Sequence, residues 1–208
     1  MVRVCVGASG DTINTSQVLL IKISTSGDIV QKKLYTTNNQ RVQYNSQWAH
    51  SLAITKNGDY VIGGARYYEP WVFRTDTAGN IKWATWYYDS INGESKLHRG
   101  ATVNSLRETS RGTIICAAGD EYPNNGGFAL NNYAAVLELD SAGNVNKRLQ
   151  WSNLTGYTLG GFFIDETETG CYLLAGNQAL LYINTSGAIV WRKKYTMMLD
   201  GVGSMVNN

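Results

Sequence analysis

The residues of this 208-residue chain that could do chemistry gather in the stretches between its apolar runs. Trp48 and His50 stand just before one run, and Arg66, Tyr67, Tyr68 and Glu69 follow it as "RYYE". His98 and Arg99 close the polar segment "DSINGESKLHRG", and Tyr122 follows the adjacent acids Asp120 and Glu121. Aromatic rings interleaved with Arg, Asn and carboxylates suit a sugar or peptide site, offering flat apolar faces beside bidentate hydrogen bonding. These nine residues, Trp48, His50, Arg66, Tyr67, Tyr68, Glu69, His98, Arg99 and Tyr122, are the candidate binding set.

Catalytic chemistry is less well supplied. His50 is a lone histidine, more often a structural donor than a base. Paired carboxylates could serve glycoside cleavage, but Asp120 and Glu121 are neighbours and point apart in an extended segment. Glu108 and Glu166 share a column two residues before a turn, where repetition alone explains their alignment. "ETETG" lacks the spacing of a calcium loop, and there is no phosphate loop, dinucleotide glycine motif or nucleophile elbow. The three cysteines, Cys5, Cys116 and Cys171, lie far apart in apolar runs, so buried free thiols are expected. No catalytic residue, metal ligand or cofactor is assigned.

Composition points to an all-β fold. Glycine is abundant at 22, proline scarce at 2, and there are 13 Tyr and 6 Trp, as suits pleated surfaces joined by tight turns. A net charge of +2 gives no electrostatic reason to expect nucleic acid or an anionic membrane. No apolar run approaches the roughly 20 residues of a bilayer-spanning helix. "MVRVCVGASG" is too short and polar for a signal peptide, which leaves an intracellular or phage-encoded protein, or a chain whose leader was removed.

One sentence of sequence recurs four times: "LLIKISTSGDIVQKKLY", "WVFRTDTAGNIKWATWYY", "AVLELDSAGNVNKRLQW" and "LLYINTSGAIVWRKKY". Aligned on Gly27, Gly79, Gly143 and Gly187, each has Ser24, Asp76, Asp140 or Asn184 three residues earlier, able to bond its own backbone and start a turn. Two residues later come Ile29, Ile81, Val145 and Ile189, and eight later Tyr35, Tyr87, Trp151 and Tyr195. Four later, Trp83 and Trp191 match while Gln31 and Lys147 do not. The even offsets mark one face of a strand, so each repeat is a hairpin and its aromatic residues are packing residues.

A second hairpin precedes each of the last three, turning at Gly58, Gly112 and Gly170, with Gly63, Ala117 or Ala175 five residues on, matched by Gly7 in the first unit. Small side chains at one column predict close approach of a neighbouring strand. Each unit thus holds four strands, a to d, and a four-stranded antiparallel unit at this period is the signature of a propeller blade. The expected fold is an all-β β-propeller in a single domain, 1–208, with blades at about 201–208 plus 1–35, 49–88, 101–151 and 159–195. In it "GVGSMVNN" supplies the strand a that the first blade lacks and closes a ring of four without a free edge. A segment of a longer propeller, a solenoid and a two-sheet sandwich are the competing architectures.

The succession of "YVIGG" and "WVFRTDTAGNIKWATWY" resembles bacterial and archaeal surface-protein propeller repeats, whose blades read roughly G-G-Y-I-V-A-G and then W-L-L-K-L-D-x-x-G-x-x-x-W-x-K-x-Y. The resemblance covers nearly the whole chain and implies a bacterial cell-surface, secreted or phage-encoded protein. Quinoprotein propellers share a similar hairpin, but their regular tryptophan is missing here from some blades, which argues against a quinone.

In such a fold the a–b and c–d turns lie on one face, and the d–a and b–c connections on the other. The latter read as long, "ARYYEP" and "GDEYPNNGGFALNN" among them, and loops on a rigid scaffold commonly carry function. The leading expectation is a non-enzymatic binding module holding a glycan or protein partner on this face, with no oligomeric state implied. A carbohydrate-active hydrolase or lyase at the channel mouth, and a structural segment of a larger surface or virion protein, are the alternatives.

Overall fold

The computed structural model describes residues 3–10, 16–35, 47–66, 69–87, 101–120, 134–151, 163–167, 170–176 and 179–195. Among these residues, fifteen strands form four antiparallel sheets. The first holds β1 (Arg3–Gly10), β2 (Ser16–Ile23) and β3 (Ile29–Tyr35); the second β4 (Gln47–Ile54), β5 (Tyr60–Arg66), β6 (Glu69–Thr75) and β7 (Ile81–Trp86). The third holds β8 (Ala101–Glu108), β9 (Ile114–Asp120), β10 (Ala134–Leu139) and β11 (Val145–Trp151), and the fourth β12 (Phe163–Glu166), β13 (Tyr172–Ala175), β14 (Ala179–Ile183) and β15 (Ile189–Lys194). Strands follow one another across each sheet in chain order, so this is an all-β protein of the β-propeller class, built of blade-like sheets. The first sheet has three strands among the described residues; residues 201–208, expected to supply its strand a, lie outside the described residues.

All seven predicted turn glycines have positive φ, from 69° at Gly170 to 93° at Gly27. The residues three before the four c–d glycines act as read from the sequence. Asp76 Oδ1 accepts from Asn80 N at 2.7 Å, Asp140 Oδ1 from Asn144 N at 2.8 Å, Asn184 Oδ1 from Ala188 N at 2.9 Å and Ser24 Oγ from Asp28 N at 3.1 Å. These bonds hold the Asp76 and Asp140 carboxyls below their usual range, the backbone bond from Asn80 leading in the first and the side-chain bond from Asn144 in the second. Each c–d hairpin also carries a bulge at the same place, at Lys22/Ile23, Arg74/Thr75, Glu138/Leu139 and Tyr182/Ile183.

The chain divides into two compact units, Met1–Val103 and Asn104–Asn208. In the first, Val18, Leu20 and Tyr35 pack against Tyr60, Ile62, Trp71 and Phe73. Trp71 stacks on Phe73 with ring centroids 4.5 Å apart, and Tyr35 tilts onto Phe73 at 5.0 Å. In the second, Ile115, Ala117, Ala134 and Val136 meet Ile164, Tyr172, Leu174, Leu181 and Ile183. These residues recur at every second position along their strands, which puts them on one face. Each large apolar side chain so buried contributes about 1.5–3 kcal/mol.

Two connections differ from the sequence reading. β5 and β6 stay paired to Arg66↔Glu69, so "ARYYEP" is mostly strand and only residues 67 and 68 lie between. Pro70 is tolerated there because it stands near the start of β6, and its carbonyl still accepts from Tyr87 N at 2.9 Å. The β13–β14 connection is also short, residues 176–178. A polar, aromatic composition reads as loop when the ladder itself cannot be seen.

Candidate functional site

The candidate residues that the structure places together lie at one end of the second sheet. Neighbouring strands carry Gln47, Arg66 and Glu69 in a single lateral row, Gln47↔Arg66 and Arg66↔Glu69, with Trp48↔Ala65 in the next. β4 then bulges: Ala49 pairs with Gly64 and Ser51 with Gly63, so His50 drops out of the ladder. His50 is exposed and Trp48 half-buried. A bulge of this kind re-aims a side chain and is over-represented beside functional sites.

Gly64 makes the bulge possible. A Cβ on Gly64 would overlap the Trp48 carbonyl, so only glycine lets β4 approach this closely. The small-residue column anticipated close approach at Gly63, one residue away. Trp71 pairs with Gly64 and is buried, and its indole Nε1–H has no acceptor among the described residues. A buried donor without an acceptor costs about 1–3 kcal/mol. Nothing in sequence periodicity marks Trp71 out, because it looks like any core aromatic.

The remaining candidates are placed in part or not at all. Arg66 and Glu69 are described through their backbone alone, as the last residue of β5 and the first of β6. Tyr67, Tyr68, His98, Arg99 and Tyr122 lie outside the described residues.

Two polar clusters that sequence reasoning missed sit at the turn ends of the sheets. In the second sheet, Asp59 takes Arg74 Nε at 2.8 Å and Lys82 Nζ at 2.7 Å. Burial opposes ionisation of Asp59, but the bonds from Lys82 and Arg74 outweigh it and hold the carboxyl below its usual range. In the second unit, Glu138 accepts from Tyr172 Oη at 2.8 Å and Thr113 Oγ1 at 3.1 Å, and pairs with Arg111 at 3.2 Å. Burial, then the bond to Glu138, pushes the Tyr172 phenol up to about 12. Arg74 and Glu138 each stand five residues before a c–d glycine, and Asp59 and Thr113 each follow an a–b glycine. One column pair is thus filled by opposite chemistries, a device visible only with both hairpins aligned. Nearby, Glu166 Oε2 accepts from Ser110 N at 2.5 Å.

These acids serve as hydrogen-bond and ion-pair partners inside the fold. No group of three or more His, Cys, Asp or Glu among the described residues could hold a metal. Cys116 and Cys171 are buried and in no disulfide, as expected, and burial raises the Cys116 thiol. No helix among the described residues is long and apolar enough to cross a membrane.

No protein-family model matches the chain, and no curated protein does. Solved structures do. A protein of unknown function from Bacteroides caccae superposes with a TM-score of 0.57 at 14% identity, over 93% of this chain and 58% of that one. The chain therefore spans less than two thirds of that structure's length. A eukaryotic initiation factor matches with a TM-score of 0.47 at 13% identity, over 93% of this chain and 44% of that one. Regucalcin from Agrobacterium tumefaciens, a calcium-binding protein, matches with 0.34 at 15%, over 91% and 73%. At 14% identity the likeness to the Bacteroides caccae protein concerns fold alone.

Proposed function

We propose that the chain is a non-enzymatic binding module whose glycan or protein partner seats at the end of the second sheet where β5 turns into β6. The observation that carries this reading is the bulge that sets His50 outside the ladder beside Trp48, supported by the Trp71 indole donor, which has no acceptor among the described residues. A rigid ladder holding an exposed imidazole next to a half-buried ring suits sugar stacking with a directed hydrogen bond. The resemblance of the repeats to surface-protein propellers favours a bacterial cell-surface or secreted setting.

A glycan array followed by calorimetry on each hit tests the idea. Trp48→Ala and His50→Ala should each weaken binding at least tenfold, in the range of aromatic anchors. Trp191→Ala, in the fourth sheet, should leave it unchanged. An array and a pull-down that are both blank at high protein concentration would overturn the proposal.

A further inference from the structure

The a–b turn of the second sheet carries a side chain that can react with its own backbone. Of the seven turn glycines at positive φ, Gly58 alone follows an asparagine, Asn57. This order suits ring closure, because the glycine nitrogen can reach the amide carbon Cγ and no side chain on Gly58 hinders it. The other turn asparagines, Asn80, Asn144 and Asn184, precede Ile81, Val145 and Thr185, whose branched Cβ crowds the same nitrogen. Two further Asn-Gly pairs, at 92–93 and 125–126, lie outside the described residues.

We propose that Asn57 is a self-modification site, held silent by its turn and released when that end of the β4–β5 hairpin opens. In the reaction Gly58 N attacks Asn57 Cγ. A new N–Cγ bond forms, the Cγ–Nδ2 bond breaks, and the nitrogen's proton leaves with the amide as ammonia. Water then opens the cyclic imide at either carbonyl. The result at position 57 is aspartate, or isoaspartate with the main chain running through the side-chain carbon.

The fold opposes the first step. Gly58 N donates to Thr55 O at 2.8 Å, so the attacking nitrogen is already committed. The turn is tied twice more, by Thr55 N to Asp59 O at 2.9 Å and by Asp59 N to Thr55 Oγ1 at 3.1 Å. Thr55 and Asp59 are buried, and Arg74 and Lys82 grip the Asp59 carboxyl. The ladder begins directly beside these bonds, with Ile54 opposite Tyr60. Swinging Gly58 N toward Cγ therefore requires the hairpin end to open, and the frequency of that opening sets the rate. The c–d turns of the second and fourth sheets are held differently, by a joint with the sheet before them: Tyr35 Oη donates to Gly79 O at 2.9 Å, and Lys147 Nζ to Thr185 O.

The product cannot close in the same way. Isoaspartate adds a main-chain atom to a turn whose length those bonds fix, and either product sets a new carboxylate two residues from Asp59. A hairpin that has opened and reacted stays loosened, beside the core residues Tyr60 and Ile62.

Peptide mapping by mass spectrometry, with isoaspartate detected by enzymatic methylation, follows position 57 in the full chain in mildly alkaline buffer. The pairs at 92–93 and 125–126 fall in separate tryptic peptides. Native protein should react at least about tenfold more slowly than protein unfolded in urea. Thr55→Ala, which removes the acceptor of Asp59 N, should speed the native reaction about tenfold. Thr55→Ser should keep the wild-type rate, and Asn57→Gln should silence the site. Equal rates in native and unfolded wild type overturn the proposal, a comparison that stands even where Thr55→Ala fails to fold. An unreacted Asn57 in the unfolded chain also overturns it, as does a native rate unchanged in a Thr55→Ala variant that circular dichroism shows to be folded. Modified and unmodified chains that unfold at the same urea concentration overturn the lasting loosening.

Discussion

Two glycines with the same backbone demand but different surroundings separate the cost of a turn from the cost of a joint. Gly27 and Gly79 hold φ of 93° and 76°, so alanine at either pays the left-handed penalty, roughly 1 kcal/mol. At Gly27 nothing lies within 4 Å of the new methyl. At Gly79 it would stand 2.9 Å from both Lys33 Cδ and Tyr35 Oη, and 3.3 Å from Gln31 Nε2. Overpacking of this sort adds about 1–3 kcal/mol, and the Tyr35 bond to the Gly79 carbonyl is disturbed with it. The expected losses are therefore about 1 kcal/mol for Gly27→Ala and about 2–4 kcal/mol for Gly79→Ala. Urea unfolding followed by tryptophan fluorescence measures both. Adding Lys33→Ala to Gly79→Ala removes one of the two closest contacts and should recover part of the difference. Equal losses at the two glycines would refute the reasoning, because the joint would then contribute nothing beyond turn geometry.

Gly64→Ala should cost at least 2 kcal/mol in the same assay, since its Cβ cannot coexist with the Trp48 carbonyl, and it should weaken any ligand that depends on His50. A variant as stable as wild type would mean that the bulge in β4 is not fixed by this glycine. The Tyr172 phenol, raised to about 12 in the fold from an ordinary 10, favours the folded state fully below pH 10 and loses that contribution as pH rises toward 12, about 2–3 kcal/mol in all. Tyr172→Phe should flatten that alkaline limb of the stability curve; an unchanged limb would show that the phenol is not its source.

The turns were legible because each rests on a local rule. A glycine at positive φ with an Asp, Asn or Ser three residues earlier needs no tertiary information, and all four c–d turns close through that side chain. The blade followed from periodicity for the same reason. Where "ARYYEP" would sit was not legible, because strand and loop differ there only in whether Arg66 and Glu69 pair across two residues. The Asp59–Arg74 and Thr113–Glu138 pairs were hidden by their exchange of chemistry, since neither partner repeats as a residue type. The bulge that exposes His50 was half visible, in a small-residue column that placed close approach at Gly63, one residue from the glycine that needs it.

The column that spoiled the repeat turns out to carry its logic. Gln31 and Lys147 break the tryptophan match four residues after the glycine, yet these two side chains donate to the next turn within a unit. The tryptophans at that column, Trp83 and Trp191, stand in the second and fourth sheets, where each unit ends. The chain thus repeats with a period of two sheets as well as one. The joints also differ from one another: Lys33 meets Asn80, and Leu149 covers Gly187, which Ala188 follows. Exchanging partners would set the Lys33 ammonium against Ala188 or the Leu149 side chain against Asn80, and each mismatch strips water from a polar group without replacing it. Such mutual exclusion specifies which sheet follows which more firmly than attraction alone.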